Sequence, residues 1–331
     1  MKRPIYIFSD GSLKRKNNTL YFESEGIQKF IPVENTSEIY IFGEVELNKR
    51  FLEFLTQSEI ILHFFNRYGY YVGSFYPREY LNSGYMILKQ AEHYLNPDKR
   101  LFLAKAFVEG AYKNMRQVLK YYQSRGIDEL KSYIEQMENL FGKINNINDI
   151  NPLMAFEGNI RQTYYSAFDL IIDKDDFKFE KRSKRPPKNA LNTLISFGNS
   201  MMYTIVLSEI YRTHLDPRIG YLHATNFRRF TLNLDVAEIF KPIIVDRLIF
   251  YIISKNMLKP EHFEEDLEGI VITDSAKKIF IDELEQRLST TISVKNIGNY
   301  VSYRQLIRIE LYKIEKHLMG EKEYQPYVTQ W

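Results

Sequence analysis

At 331 residues the chain is longer than a single hydrophobic core usually serves, so two domains are expected. It has no cysteine, which excludes a disulfide framework, a thiolate metal site and a thiol nucleophile, and fits a reducing cytoplasm. The 45 Lys and Arg residues nearly balance 42 Asp and Glu, leaving a formal charge of +3, so any grip on nucleic acid must come from local basic patches.

The first segment, Met1 to Asp10, has no long apolar run and is not read as a signal peptide. From Ile5 to Phe75 short aromatic and β-branched runs predict strands at Ile5–Phe8, Thr19–Phe22, Ile27–Val33, Glu38–Phe42, Ile60–Phe65 and Tyr70–Phe75. Asn17-Asn18, Glu25-Gly26 and Tyr68-Gly69 supply turns between them, and Phe51, Leu52 and Leu55 mark a short helix over Asn48–Thr56. His63, inside an apolar strand, reads as a core or interface residue. Residues 1–80 thus form a small β-sheet or β-sandwich domain.

Residues 81–95 read as a linker, with His93 solvated, and 96–331 as an all-helical domain, so the fold class is α+β. Asn96-Pro97-Asp98 opens a helix that runs to Ser124, and Gly126 is placed as its left-handed stop. Ile127 to Gly142 is a second helix, and Asn151-Pro152 starts a third that carries Glu157. A charged break from Asp173 to Lys188 ends in Lys181-Arg182-Ser183-Lys184-Arg185-Pro186-Pro187-Lys188, either a solvated loop or a phosphate grip. Helices follow over Asn189–Arg212, Ser275–Leu288 and Tyr303–Leu318, and the tail from Gly320 to Trp331 is expected to dock on the body or on a partner. The most apolar stretch, Ile243 to Ser254, is broken by Asp246 and Arg247 and is too short to span a bilayer.

Gly220-Tyr221-Leu222-His223 places a histidine in a glycine-led loop, with Arg228 and Arg229 close behind. Asp235 and Glu238 follow at the start of an apolar helix, one turn apart on the same face. Two carboxylates and an imidazole suit a divalent ion for phosphate chemistry, with the nitrogen favouring Mn2+ without excluding Mg2+. Glu157 is the best upstream acid, with Arg161 and a tyrosine along its helical stripe.

These residues carry a resemblance to the CRISPR adaptation integrases, the endonucleases that are the first-numbered Cas proteins. The family's Glu-Gly-x-x-Arg helix, its Leu-His loop and its Asp-Leu-x-Glu-x-Phe-(Lys/Arg)-Pro segment are similar to the stretches around Glu157, His223 and Glu238. Lys241-Pro242 and the later Asp246-Arg247 continue the match, as do Asn189-Ala190-Leu191 with Ser196-Phe197-Gly198-Asn199 and the strands around Ile39–Gly43 and His63–Phe65. The resemblance implies that Glu157, His223 and Glu238 hold one Mg2+ or Mn2+, with Glu238 standing where some members have Asp. Asp235 matches a further acid of the segment, which either ligates or orients the site. It further implies spacer insertion into a CRISPR array by 3′-hydroxyl attack on a repeat phosphodiester, a homodimer joined through the β domain, and the second-numbered Cas protein bridging two dimers. Arg161, Lys181, Arg182, Lys184, Arg185, Arg228, Arg229 and Lys241 are the expected contacts to double-stranded DNA. A general metal-dependent nuclease and a helical nucleic-acid scaffold remain as alternative readings.

Overall fold

A computed structural model describes residues 2–77, 81, 83–223, 230–266, 269–294 and 300–330. The chain divides into two compact units, Met1–Tyr80 and Leu81–Trp331.

In the first unit the strands are β1 Arg3–Ile7, β2 Gly11–Lys16, β3 Thr19–Ser24, β4 Ile27–Ile31, β5 Thr36–Ile41, β6 Val45–Leu47, β7 Ile61–Phe65 and β8 Tyr71–Phe75, with helix α1 at Lys49–Ser58. They form two four-stranded sheets, ordered β1-β5-β7-β8 and β4-β3-β2-β6. β1, β5 and β7 are parallel to one another, and β8 returns antiparallel. Strand alternation sends Ile39 and Ile41 to one face, where they join Leu13 and Leu20 of the other sheet and Phe51 and Leu55 of α1 in one core. Tyr40 goes to the opposite face, stacked on Tyr6 and against His63, with ring centroids 4.8 and 4.9 Å away. Asn48 caps α1, its side chain accepting from the Phe51 amide. Sequence reading missed β2 and β6. β2 has Leu13 as its only apolar residue among basic ones, and it is held as a strand by its pairing with β3 and β6. Gly11 is required there, because a Cβ would lie 2.3 Å from the Glu23 carbonyl oxygen.

The second unit holds α2 Gly84–Leu95, α3 Pro97–Gln123, α4 Leu130–Phe141, α5 Ile150–Ser166, α6 Phe168–Ile172, α7 Ala190–Tyr211, α8 Leu232–Lys241, α9 Arg247–Ser254, α10 Asp274–Ser289 and α11 Tyr303–Leu318. Residues 84–95, expected as linker, are helix: Ser83 caps α2, and Gln90 on its buried side holds the site loop through the Asp216 and Ile219 carbonyls. His93 is buried rather than solvated, bonded to the Lys89 carbonyl and packed against His317. Nor is the unit all-helical. Two short antiparallel ribbons, β9 Phe263–Glu265 with β10 Ile270–Ile272 and β11 Thr291–Ser293 with β12 Tyr300–Ser302, fill stretches too short for periodicity to reveal. Asn96 and Pro97 open α3, and Gly126 has the left-handed φ of +102° expected of a helix stop.

α7 is the centre of this unit and is buried along nearly its whole length. Pro242 supplies no N–H, and α8 passes into α9 through a π-helical turn, Pro242–Asp246. Gly198 lets α7 approach that turn, since a Cβ there would meet Val245 at 2.5 Å. The tail docks on its own chain. The Tyr324 hydroxyl donates to Glu310 at 2.6 Å, and the Thr329 amide to Asn114 at 2.9 Å. Among the described residues no helix is long and apolar enough to cross a membrane.

Candidate metal centre

α5 supplies the site from far upstream, and the 220–223 loop and the α8 that follows it supply the rest, with α7 behind them. Asp149 caps α5 and fixes its entry, and one turn separates Glu157 from Arg161. The Arg161 guanidinium binds Glu157 Oε1 through Nε at 2.7 Å and Nη2 at 2.6 Å, and Nη2 also reaches Glu238 Oε2 on α8. Lys241 donates to Glu238 Oε1 at 2.7 Å and to the Tyr203 hydroxyl of α7 at 3.1 Å. The Tyr203 hydroxyl lies 3.4 Å from the same Glu238 oxygen.

The loop is shaped by Asp235. Its carboxylate accepts the backbone N–H groups of Tyr221 at 2.6 Å, Leu222 at 3.0 Å and His223 at 3.0 Å, and pairs with His223 Nδ1 at 2.7 Å. Asp235 is fully buried and is therefore an anchor for the loop and the imidazole. Gly220 makes the approach possible, because a Cβ would stand 2.8 Å from Asp235 Oδ2. Arg100 of α3 holds the loop from its other side through the Tyr221 carbonyl. With Nδ1 engaged, His223 keeps Nε2 without a partner among the described residues. Asp235 thus does for the imidazole what outer carboxylates do for metal-binding histidines: it fixes tautomer and ring direction.

The electrostatics follow from burial and charge crowding. Burial works against ionisation of Glu238, but Arg161, Lys241 and His223 together bring its carboxyl down to about 2, so it is a carboxylate at neutral pH. Burial opposes protonation of His223 as well, and there the Asp235 hydrogen bond and charge, with Glu238 and Glu157 adding to them, raise the imidazole's pKa. The influence of Glu157 and Glu238 on His223 shows that the three groups share one electrostatic neighbourhood.

The donor set fits a hard divalent cation: two carboxylates and a free imidazole nitrogen in a buried, anion-rich place. The side chains are not drawn into a chelate, however. Among the described residues no three His, Asp or Glu side chains group as a metal cluster, and the Arg161 guanidinium occupies the place between the two glutamates.

Arg161 and Lys241, expected as DNA contacts, are instead buried partners of the site acids, with side chains 12% and 3% exposed. Arg182 also turns inward, donating to Asn192 and Ser196 of α7 at 3.0 Å each. Lys181, Lys184 and Arg185 are exposed. Arg228 and Arg229 lie outside the described residues. Sequence reasoning missed Tyr203, whose place on an apolar helix carries no polar signal. It also left Asp246 unused, although that residue belongs to a quoted motif.

The architecture is thus α+β, a sheet unit followed by a largely helical unit that carries an acid–imidazole site. Residues 5–286 match the family model described as CRISPR associated protein Cas1. A relative from Thermodesulfovibrio yellowstonii, called CRISPR-associated endonuclease Cas1 2, is 64% identical over the full length of both chains. One from Thermotoga maritima, called CRISPR-associated endonuclease Cas1, is 53% identical over 97% of this chain and 98% of its own. The solved structure of a Thermotoga maritima Cas1 protein superposes with a TM-score of 0.89 at 50% identity, covering 98% of this chain and all of the other. A casposase bound to integration product has the same fold, with a TM-score of 0.88 at 17% identity over 99% of this chain and 94% of its own. The chain belongs to the Cas1 family of CRISPR-associated proteins, and its activity is that of an endonuclease.

Proposed function

We propose that this endonuclease acts on double-stranded DNA with a bound Mg2+ or Mn2+ and joins captured DNA fragments into a CRISPR array. What supports the reading is that Arg161 ties Glu157 of α5 to Glu238 of α8, while Asp235 of the same helix holds the His223 imidazole. A divalent ion at such a set polarises the scissile phosphate and favours the deprotonated attacking oxygen. Glu157 and Glu238 would hold the cation through their carboxyl oxygens, and His223 would offer Nε2 because its Nδ1 side belongs to Asp235. Lys241 keeps Glu238 ionised. With a DNA 3′-hydroxyl as nucleophile the product is a strand joint, and with water it is a nick.

The protein acts as a homodimer, with two dimers bridged by the second-numbered Cas protein in the cytoplasm. Its β unit supports the first part of this reading, since edge strand β4 leaves Ile27 72% and Phe30 55% exposed, more apolar surface than a lone edge usually leaves uncovered. The test is a labelled 3′-hydroxyl duplex incubated with a repeat-bearing plasmid in Mn2+, with and without the partner. Joined product is expected. Cleavage without joining would reduce the function to a general nuclease, and activity that survives chelation would remove the metal.

A further inference from the structure

One buried acid near the site has no well-formed hydrogen bond among the described residues. Asp246 closes the π-helical turn after α8 and is fully buried, and neither of its carboxylate oxygens makes a hydrogen bond of good geometry among the described residues, although the Tyr164 hydroxyl of α5 lies near enough to act on it as a donor. Arg161 Nη1, one turn before Tyr164 on α5, is likewise buried without a partner among the described residues. Native proteins leave few such atoms, and a complementary pair of them in one neighbourhood calls for a reason. Burial pushes the Asp246 carboxyl up to about 7, with Arg161 the largest charge acting the other way, ahead of Lys241, and Tyr164 close enough to act with them. Asp246 therefore already lies in the field of the guanidinium whose other nitrogens hold Glu157 and Glu238.

A divalent cation and a guanidinium cannot share those two carboxylates without like charges crowding in a buried place. Arg161 cannot shed its proton, and a buried guanidinium stripped of carboxylates is costly. It needs another carboxylate, and Asp246, with no bond of good geometry to any cation, already lies in its field. We propose that Asp246 is the second seat of Arg161: when a divalent cation takes Glu157 and Glu238, the guanidinium releases them and its charge is taken up by Asp246. Asp246 is then a positioning residue for metal loading, and never a ligand. This rests on the metal reading given above.

Calorimetric titration of Mn2+ alone into the purified full chain tests it, with the melting temperature measured in the absence of metal. Asp246→Asn keeps the shape and removes the charge. It should weaken Mn2+ binding by about tenfold, a usual size for coupling between sites, and yet melt higher without metal, because a buried acid with no cation bonded to it has been replaced by a neutral amide that can still accept from Tyr164. A residue that merely held the fold would lower both. Adding Arg161→Gln should restore affinity to the Asp246→Asn protein, since there is then no cation to reseat, and Asp246→Ser should repeat the result should the amide disturb packing. Glu238→Ala is the control and should not bind Mn2+. Unchanged affinity in Asp246→Asn beside a non-binding Glu238→Ala overturns the second seat and leaves the metal site standing. A loss that Arg161→Gln fails to restore overturns it too, and a Glu238→Ala protein that binds normally overturns the metal site and the seat together.

Discussion

Two imidazoles in this protein are paired with buried carboxylates, one in each unit. His63 lies on the central strands of a sheet, with Nδ1 2.6 Å from the Ser74 hydroxyl and Nε2 3.7 Å from Glu38, and neither His63 nor Glu38 touches solvent. His223 lies in a loop, with Nδ1 on Asp235 at 2.7 Å, its side chain 18% exposed and Nε2 open. Both pairs contain the same chemical groups. In the sheet, protein faces both ring nitrogens and the pair can only hold strands together. In the helical unit one nitrogen is left over, and two further acids with counter-cations stand in its field. An acid–imidazole pair becomes a site by what is left unsatisfied beside it.

The sharpest way to break this contrast is to remove ligands. Glu157→Ala, His223→Ala and Glu238→Ala should each lower metal-dependent cleavage and joining by at least about a hundredfold, more than the loss of an outer partner costs, with far-ultraviolet circular dichroism unchanged. Full activity in His223→Ala would make it the equal of His63. Next comes Asp235→Asn, which keeps an acceptor for the loop amides but loses the charge that fixes the ring. Mn2+ affinity should fall by about tenfold, measured by titration, and remain above that of Glu238→Ala. On the other side of the comparison, His63→Gln should cost about 1–3 kcal/mol of folding stability in urea, the cost of stranding buried polar partners, while cleavage per folded molecule stays at the wild-type rate. A loss of cleavage beyond the loss of folded protein would show that the sheet pair also reaches the chemistry.

The pH dependence separates the two histidines further. The pKa of His223 is raised, so its pairing with Asp235 stabilises the metal-free fold fully below the ordinary histidine value of 6.5 and loses that contribution as pH rises through the raised value. Metal binding runs the other way, because Nε2 must be unprotonated to ligate. Mn2+ affinity should therefore climb over the interval in which metal-free stability falls, and His223→Gln should flatten both curves. The smallest expected effect concerns the loop before α7. Neutralising exposed Lys181, Lys184 and Arg185 should flatten the salt dependence of DNA binding by about one unit of slope for each phosphate that these cations neutralise in the wild type. Arg182→Ala should instead act on stability, by removing the bonds to Asn192 and Ser196.

The local signals in the chain were strong where a periodic pattern or a cap was complete. Alternating aromatic strands, the Asn96 cap, Gly126 and the apolar run of α7 could all be placed from residue order alone. Glu157, His223, Asp235 and Glu238 were legible as chemistry because acids and an imidazole stood at helical and loop spacings. What residue order could not give was direction. Asp235 and Glu238 lie on one helical face, yet Asp235 turns to three loop amides and Glu238 to Arg161 and Lys241, because the loop crosses α8 at Gly220 and α5 approaches from elsewhere in the chain. Arg161, Lys241 and Arg182 look like surface cations in sequence, since a basic residue there carries no mark of burial; the acids and amides that enclose them come from segments up to 77 residues away. β2 was held by its neighbours and not by its own composition, and α2 gained its role only by holding a loop 126 residues further on. Local order set which groups are present and which elements carry them; long-range packing decided which are paired, and so why His223 Nε2 has no partner among the described residues.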